Sequence, residues 1–180
     1  VISLEKMKNP DITVDLIQGT VECPVGVYLD KLRSEVESQS NSKFIYPVDP
    51  TSRNEAMVGG TVSCNASGFI PGASGATRHW VAGLEFIFPN GYGFRAVRRQ
   101  YISINNVFEL KFDQSKIDFK VPSYSRPKIK NASGPYSSNG KPVDIIDCLV
   151  GSEGIYGIIT RCKFRVKHKP YGYLDLFIRL

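Results

Sequence analysis

Three stretches of small residues carry the main-chain chemistry of this sequence: DPTSRNEAMVGG from Asp49 to Gly60, TVSCNASGF from Thr61 to Phe69, and GSEGIYGIIT from Gly151 to Thr160. Glycine has no Cβ, so the backbone at such points can come close to a large molecule, while Ser, Thr and Asn add short hydrogen-bonding groups beside the amide N–H donors. A set of this kind suits a ligand with anionic oxygens. Each stretch also has an ordinary use, since GSEG serves as a helix stop followed by a turn and VGG as a strand bulge. The tetrapeptide Asn-Ala-Ser-Gly occurs twice, at Asn65 to Gly68 and at Asn131 to Gly134. Both copies are N-x-S sequons, which matter only if the chain is secreted.

Side chains that catalyse or bind metals are sparse. Cys23, Cys64, Cys148 and Cys162 form no C-x-x-C pair, and His79 and His168 stand apart, so no zinc-ligand spacing is present. His79, next to Arg78, is either a proton acceptor near a reacting group or a surface imidazole ahead of a strand beginning at Trp80. No residue is assigned a catalytic role.

The chain has 180 residues, 42% hydrophobic and 22% charged, enough to bury a substantial core in one domain. Its 16 glycines and 11 prolines predict many turns. A net charge of +6 admits an anionic partner, yet the basic residues run from Lys6 to Arg179 and alternate like solvated strand faces in FRAVRRQ and RCKFRVKHK. No helix-turn-helix, zinc-finger or RNA-sheet pattern supports nucleic acid as that partner. No apolar run approaches the roughly 20 residues of a membrane span, and Val1 opens without a basic, then apolar, leader. A cytoplasmic location with reduced thiols is the expectation.

The elements that must position these stretches follow from periodicity. Val1 to Leu4 and Ile12 to Val21 read as short strands around the turn Asn9-Pro10-Asp11. Val27, Leu29, Leu32 and Val36 lie at helical spacing within VGVYLDKLRSEVES. FIYPVDPTS is extended, and a short helix begins after Ser52 or Asn54 and breaks at Gly59-Gly60. WVAGLEFIFPNGYGFRAV is a hairpin turning at Asn90-Gly91. Tyr101 to Val121 reads as loop with short strand pieces such as Phe108 to Phe112, and Pro122 to Pro142 as a surface excursion. A helix over Asp144 to Val150 stops at Gly151. The last strand points Ile159, Arg161, Lys163, Arg165 and Lys167 outward and Ile158, Cys162, Phe164 and Val166 inward, with Thr160 as a polar exception. The fold class is therefore α+β, a mixed or antiparallel sheet flanked by helices.

The order of these motifs is more telling than any one of them. D-P-T-S, then A-x-V-G-G-x-V-x-x-N-A-S-G, then G-x-T-R-x-x-V-x-G-L-E at Gly75 to Glu85 with a following P-N-G, and finally L-V-G-S-E-G-x-x-G-I-I-T together resemble the FAD-binding domain of the vanillyl-alcohol oxidase and para-cresol methylhydroxylase superfamily. Within it the chain looks like the D-lactate dehydrogenase and glycolate oxidase branch, over essentially Val1 to Leu180. The resemblance implies that Pro50, Thr51, Ser52, Met57, Gly59 and Gly60 wrap the pyrophosphate and ribityl part of FAD. It places Asn65, Ser67 and Gly68 beside the flavin ring, and Glu153, Gly154, Gly157, Ile158 and Ile159 at the adenine end or the ribityl chain. The second Asn-Ala-Ser-Gly copy falls near the ring or the substrate side. Where relatives read G-S-E-G-T-L-G, this chain has Ile155-Tyr156, which enlarges one position, and neither residue is counted among the expected contacts.

Complete members of the resembled family move a hydride from a 2-hydroxy acid or related alcohol to flavin N5. Their domain begins with a P-x-G-x-G-T-S loop and is followed by a substrate-binding cap, and neither is present in these 180 residues. The expectation is that the chain is the larger, C-terminal part of an FAD domain from a longer oxidoreductase, holding FAD noncovalently, with an electron-acceptor protein as a candidate partner. By itself the chain is expected to bind FAD weakly or not at all. The alternative is a non-catalytic binding or assembly module that keeps the fold without the cofactor.

Overall fold

The computed structural model describes residues 2–69, 74–112, 115–127, 129, 135–172, 174 and 176–178. The core is an antiparallel sheet in the order β1-β2-β8-β4-β5, formed by β1 (Thr13–Asp15), β2 (Thr20–Pro24), β4 (Val81–Ile87), β5 (Gly93–Val97) and β8 (Ile158–Arg165). Two further pairs sit beside it: β3 (Phe44–Ile45) with β9 (Lys167–His168), and the hairpin β6 (Val107–Phe112) with β7 (Ser115–Lys120). The described α-helices are α1 (Leu29–Gln39), α2 (Val58–Ser63) and α3 (Ile145–Leu149), with a short 3-10 helix at Thr77–His79 ahead of β4. Every described strand pairing is antiparallel, in keeping with the α+β expectation.

Helix α1 buries Leu29, Leu32 and Val36, the stripe its periodicity predicts, and its exposed face carries the i,i+4 pair Lys31–Glu35. Helix α3 begins where Asp144 caps it, its Oδ1 accepting from the Ile146 N–H at 3.0 Å. Such a cap contributes about 1 kcal/mol. The sheet packs Val21, Cys23, Leu84, Phe86, Ala96, Cys162 and Phe164 into the core with both helix faces. On the sheet's other side the carboxylate of Glu22 meets Lys163 at 3.2 Å, Arg161 at 3.5 Å and Arg95 at 3.6 Å.

The structure corrects several expectations, each for a physical reason. Residues 2–4 form no strand. The short helix does not start near Asn54 and break at the glycine pair; it starts at Val58 and runs through Gly59 and Gly60. Tertiary bonds override propensity there, because the Val58 and Gly59 N–H groups donate to the Val27 and Val25 carbonyls and pin the first turn. The stretch read as loop from Tyr101 onward holds a full hairpin, closed by Phe108 on Phe119 with centroids 4.9 Å apart. Ile159 faces the core, not solvent. A bulge explains this: Glu85 pairs with Arg161 and Phe86 with Ile159, so Thr160 is the extra residue and the alternation changes phase across it.

All four cysteines are free, and Cys23 and Cys162 sit opposite each other in register on β2 and β8. Burial pushes the thiols of Cys23 and Cys148 up to about 12, and that of Cys162 well above its ordinary value. Folding therefore favours the protonated thiols. That contribution is complete below the ordinary thiol range and is lost as pH rises from about 9, where the unfolded chain releases these protons first, toward the folded values. Urea denaturation at pH 7 to 11 should show constant stability to about pH 8.5 and a steady fall above it. Alkylation of the folded protein at pH 8 should label only the exposed Cys64; labelling of Cys23 or Cys162 at a comparable rate would contradict the burial.

Candidate functional site

Two cavities lie on either side of the junction between α2 and the Gly151–Gly154 turn. Two main-chain bonds make that junction, from Gly151 N–H to the Val62 carbonyl at 2.9 Å and from Glu153 N–H to the Ser63 carbonyl at 3.0 Å. Consecutive residues divide there, with Cys64 lining one cavity and Asn65 the other.

The first is a groove of about 560 Å³. It brings together Met57, which precedes α2, and Gly59 and Gly60 within it, with Glu153, Gly154, Gly157, Ile158 and Ile159 from the turn and the start of β8. The glycines there do different jobs. A Cβ on Gly59 would come within 2.8 Å of Val25 Cβ, so this glycine lets the helix pack on the segment after β2. Gly60 is exposed, and a Cβ there would meet nothing within 4 Å, so it would occupy groove space alone. Gly157, at φ +147°, sits against the Ile87 carbonyl and the Phe86 ring, so no side chain fits. Among the described residues the N–H groups of Gly60 and Gly154 meet no main-chain acceptor, whereas those of Val58, Gly59, Thr61, Glu153 and Gly157 do. Glu5 and Glu153 are the groove's charged residues, with no Lys or Arg among the described lining.

The donor set and the open face at Gly60 fit a dinucleotide that approaches the backbone closely. The two carboxylates suit hydroxyl or amino groups of such a ligand better than its diphosphate. Ser3, Leu4, Glu5, Val25, Ser63 and Cys64 also line the groove and were missed from sequence. For Cys64 the signal was the helix, since once α2 runs through the glycine pair residues 57, 60 and 64 fall on one face, whereas Ser3 to Glu5 and Val25 are brought in from other segments by the tertiary fold.

The remaining expected contacts lie elsewhere. Pro50, Thr51 and Ser52 form a turn whose Ser52 carbonyl accepts from the Glu55 and Ala56 N–H groups, and they line neither cavity. Asn65, at φ +49°, accepts at its Oδ1 from the Arg78 main-chain N–H at 2.9 Å and lines the second cavity. Ser67 bridges to Ala76. Gly68 is buried where a Cβ would come within 2.8 Å of the Asp49 nitrogen, so its small size is already demanded by the fold. The second Asn-Ala-Ser-Gly copy, Asn131 to Gly134, lies outside the described residues. Ile155 is exposed, while Tyr156 stacks on Phe119 at 5.4 Å, so the departure from G-S-E-G-T-L-G docks the β6–β7 hairpin.

The second cavity, about 1370 Å³, is rich in arginine. His79 stands at its edge, exposed, with Nδ1 accepting from the Ala76 N–H at 3.3 Å, which gives the imidazole a place in the turn. Among the described residues no three His, Cys, Asp or Glu side chains are placed to hold a metal ion, and no helix is long and apolar enough to cross a membrane.

Known proteins agree with this architecture. The chain is 25% identical over 170 residues to the D-2-hydroxyglutarate dehydrogenase of Xanthomonas citri pv. viticola, covering 94% of this chain and 28% of that protein. It is 28% identical over 177 residues to the D-lactate dehydrogenase of Anaerostipes hadrus, covering 98% of this chain and 29% of that protein. The chain thus spans under a third of the length of these relatives. Among solved structures, alkyldihydroxyacetonephosphate synthase superposes with a TM-score of 0.60 at 17% identity, over 94% of this chain and 23% of that one, and so shares the fold. A family model described as an FAD binding domain matches residues 1–96, which hold α2, its two glycines and the first arm of the sheet hairpin; the chain belongs to that FAD-binding family.

Proposed function

We propose that this chain is the larger, C-terminal part of the FAD-binding domain of an oxidoreductase acting on a 2-hydroxy acid or related alcohol. The observation that carries the reading is the groove that gathers eight of the expected cofactor contacts, from Met57 through Ile159, around an open glycine face. When bound, FAD supplies a ring that accepts hydride from the substrate's carbinol carbon. The residues of this chain hold that cofactor. Gly60 and Gly154 offer main-chain N–H donors, Met57 and Ile158 offer apolar contact, and Glu153 offers an acceptor for hydroxyl or amino hydrogens. Pro50, Thr51, Ser52, Asn65, Ser67 and Gly68 belong to the surrounding frame, and Asn65 ties the α2 end to Arg78.

A cap domain supplying substrate contacts, an electron-acceptor partner, noncovalent FAD and a reducing cytoplasmic setting complete the proposal. The free, buried thiols support the last of these. The carboxylates of Glu5 and Glu153, with no Lys or Arg beside them among the described lining, favour one rival, a module that keeps the fold and binds no flavin.

Expression of the intact protein separates the two. The enzyme reading expects a yellow preparation with flavin absorbance and dye reduction by a D-2-hydroxy acid, while the 180-residue piece alone takes up FAD weakly. An intact protein that stays colourless after incubation with FAD would establish the rival. Tight, stoichiometric flavin binding by the isolated piece would remove the need for a partner segment.

A further inference from the structure

A third groove, of about 610 Å³, lies between the chain at residues 8–12 and helix α1. Part of its polar lining is already used by the fold. Lys31 Nζ lies 2.5 Å from Glu35 Oε1, and Glu35 Oε2 accepts from Gln39 Nε2 at 2.9 Å. The Gln39 amide also covers the edge of β1, donating to the Ile12 carbonyl and accepting from the Val14 N–H, both at 3.1 Å. Lys31, Glu35 and Gln39 therefore make a neutral wall whose groups are satisfied.

The rest of the lining is uncommitted. The Lys8 ammonium lies over the Tyr28 ring, 5.7 Å from its centroid, and among the described residues no carboxylate pairs with it. No cation or N–H group meets the Asp11 carboxylate there, and none meets the Tyr28 hydroxyl. Lys8 and Asp11 stand three residues apart without forming an ion pair, so the groove offers one free positive and one free negative group. Ile12 and the buried Val27 add apolar surface beside the Tyr28 ring. The size is that of a small-molecule pocket. A simple anion would leave Asp11 facing it, and a simple cation would leave Lys8, so charge complementarity selects a zwitterion.

We propose that this groove binds a free α-amino acid with an apolar side chain, its carboxylate on Lys8, its ammonium on Asp11 and its side chain against Ile12, Val27 and Tyr28. The site is distinct from the glycine groove and shares no lining residue with it. The stretch between them is common to both: the Val27 carbonyl accepts from the Val58 N–H at 2.8 Å and Tyr28 bridges to Met57, so the same two residues line one groove and hold the start of α2 at the other.

The test titrates the intact protein with L-phenylalanine and L-leucine at constant ionic strength, with melting temperature as the readout. At least one should raise the melting temperature saturably, with a Kd of about 0.1 to 10 mM. For the phenylalanine skeleton, 3-phenylpropionate lacks the ammonium and phenethylamine lacks the carboxylate, and each should bind more weakly than the amino acid. Lys8→Gln and Asp11→Asn should each weaken the amino acid by about threefold or more. Both side chains are exposed and outside any described ion pair, so neither substitution disturbs the fold. The proposal is overturned if neither amino acid shifts the melting temperature, if a one-charge analogue binds as tightly as phenylalanine, or if both variants respond like the parent. A protein that binds no flavin gives the same readout, so this proposal and the cofactor assignment fail independently.

Discussion

Replacing Gly157 by alanine is expected to lower the stability of the protein by about 3 kcal/mol or more and to strip it of flavin. The steric cost is local and unavoidable. A Cβ at Gly157 would run into the Ile87 carbonyl oxygen and stand 2.7 Å from Phe86 Cε1, and the backbone there holds φ +147°. Ile87 and Phe86 belong to β4, which pairs with β8 directly after Gly157, through Ile87 with Ile158 and Phe86 with Ile159. Relief would require the first two pairs of the central ladder to open. Overpacking of a tight site costs about 1 to 3 kcal/mol and a forced glycine-only conformation about 1 to 3 more. Chemical denaturation with unchanged m-value would measure it, and an alanine variant within 1 kcal/mol of the parent would show that β4 and β8 are not in the contact described.

Gly60 to alanine should do the opposite to stability and the same to the cofactor. Gly60 lies in the first turn of α2 with nothing within 4 Å of a prospective Cβ, so alanine removes backbone freedom from the unfolded chain and stabilises the flavin-free protein by about 0.5 to 1 kcal/mol. The same methyl group stands in the groove where the backbone must be approached, and flavin affinity should fall by about tenfold or more, that is by about 1.4 kcal/mol or more. Measuring melting temperature without flavin and Kd for FAD on the same variant decides the matter. A more stable variant with parental FAD affinity would move the cofactor away from Gly60 and with it the groove assignment. Paired with Gly157, the experiment separates a glycine kept for packing from one kept for access.

Much of the local structure was legible from residue order. The stripe of Leu29, Leu32 and Val36 predicted α1, Asn90-Gly91 the turn between β4 and β5, and Asp144 with Gly151 the limits of α3, because caps, turns and amphipathic periods are local energies readable within a few residues. The ordered series of small-residue motifs likewise pointed to the family, since backbone access to a large cofactor demands glycine wherever it occurs. By contrast, α2 passes through a glycine pair only because the Val25 and Val27 carbonyls hold its first turn, and Ile159 turns inward only because β4 and β8 slip register at Thr160.

The same division holds for the two cavities. Sequence order determined which residues carry little side chain, and hence which are able to bare their backbone. Only the tertiary structure decided which of them meet: Gly60 and Gly154 across one groove, Gly68 against Asp49, and Pro50 to Ser52 in a turn apart. The arginines read as ordinary surface charge became a cavity wall for the same reason. Charge is a property of each residue, whereas burial and the spacing between charges come from segments that are distant along the chain, with Arg78, Arg126 and Tyr136 brought to one ring by the packing of α3 and the chain around it.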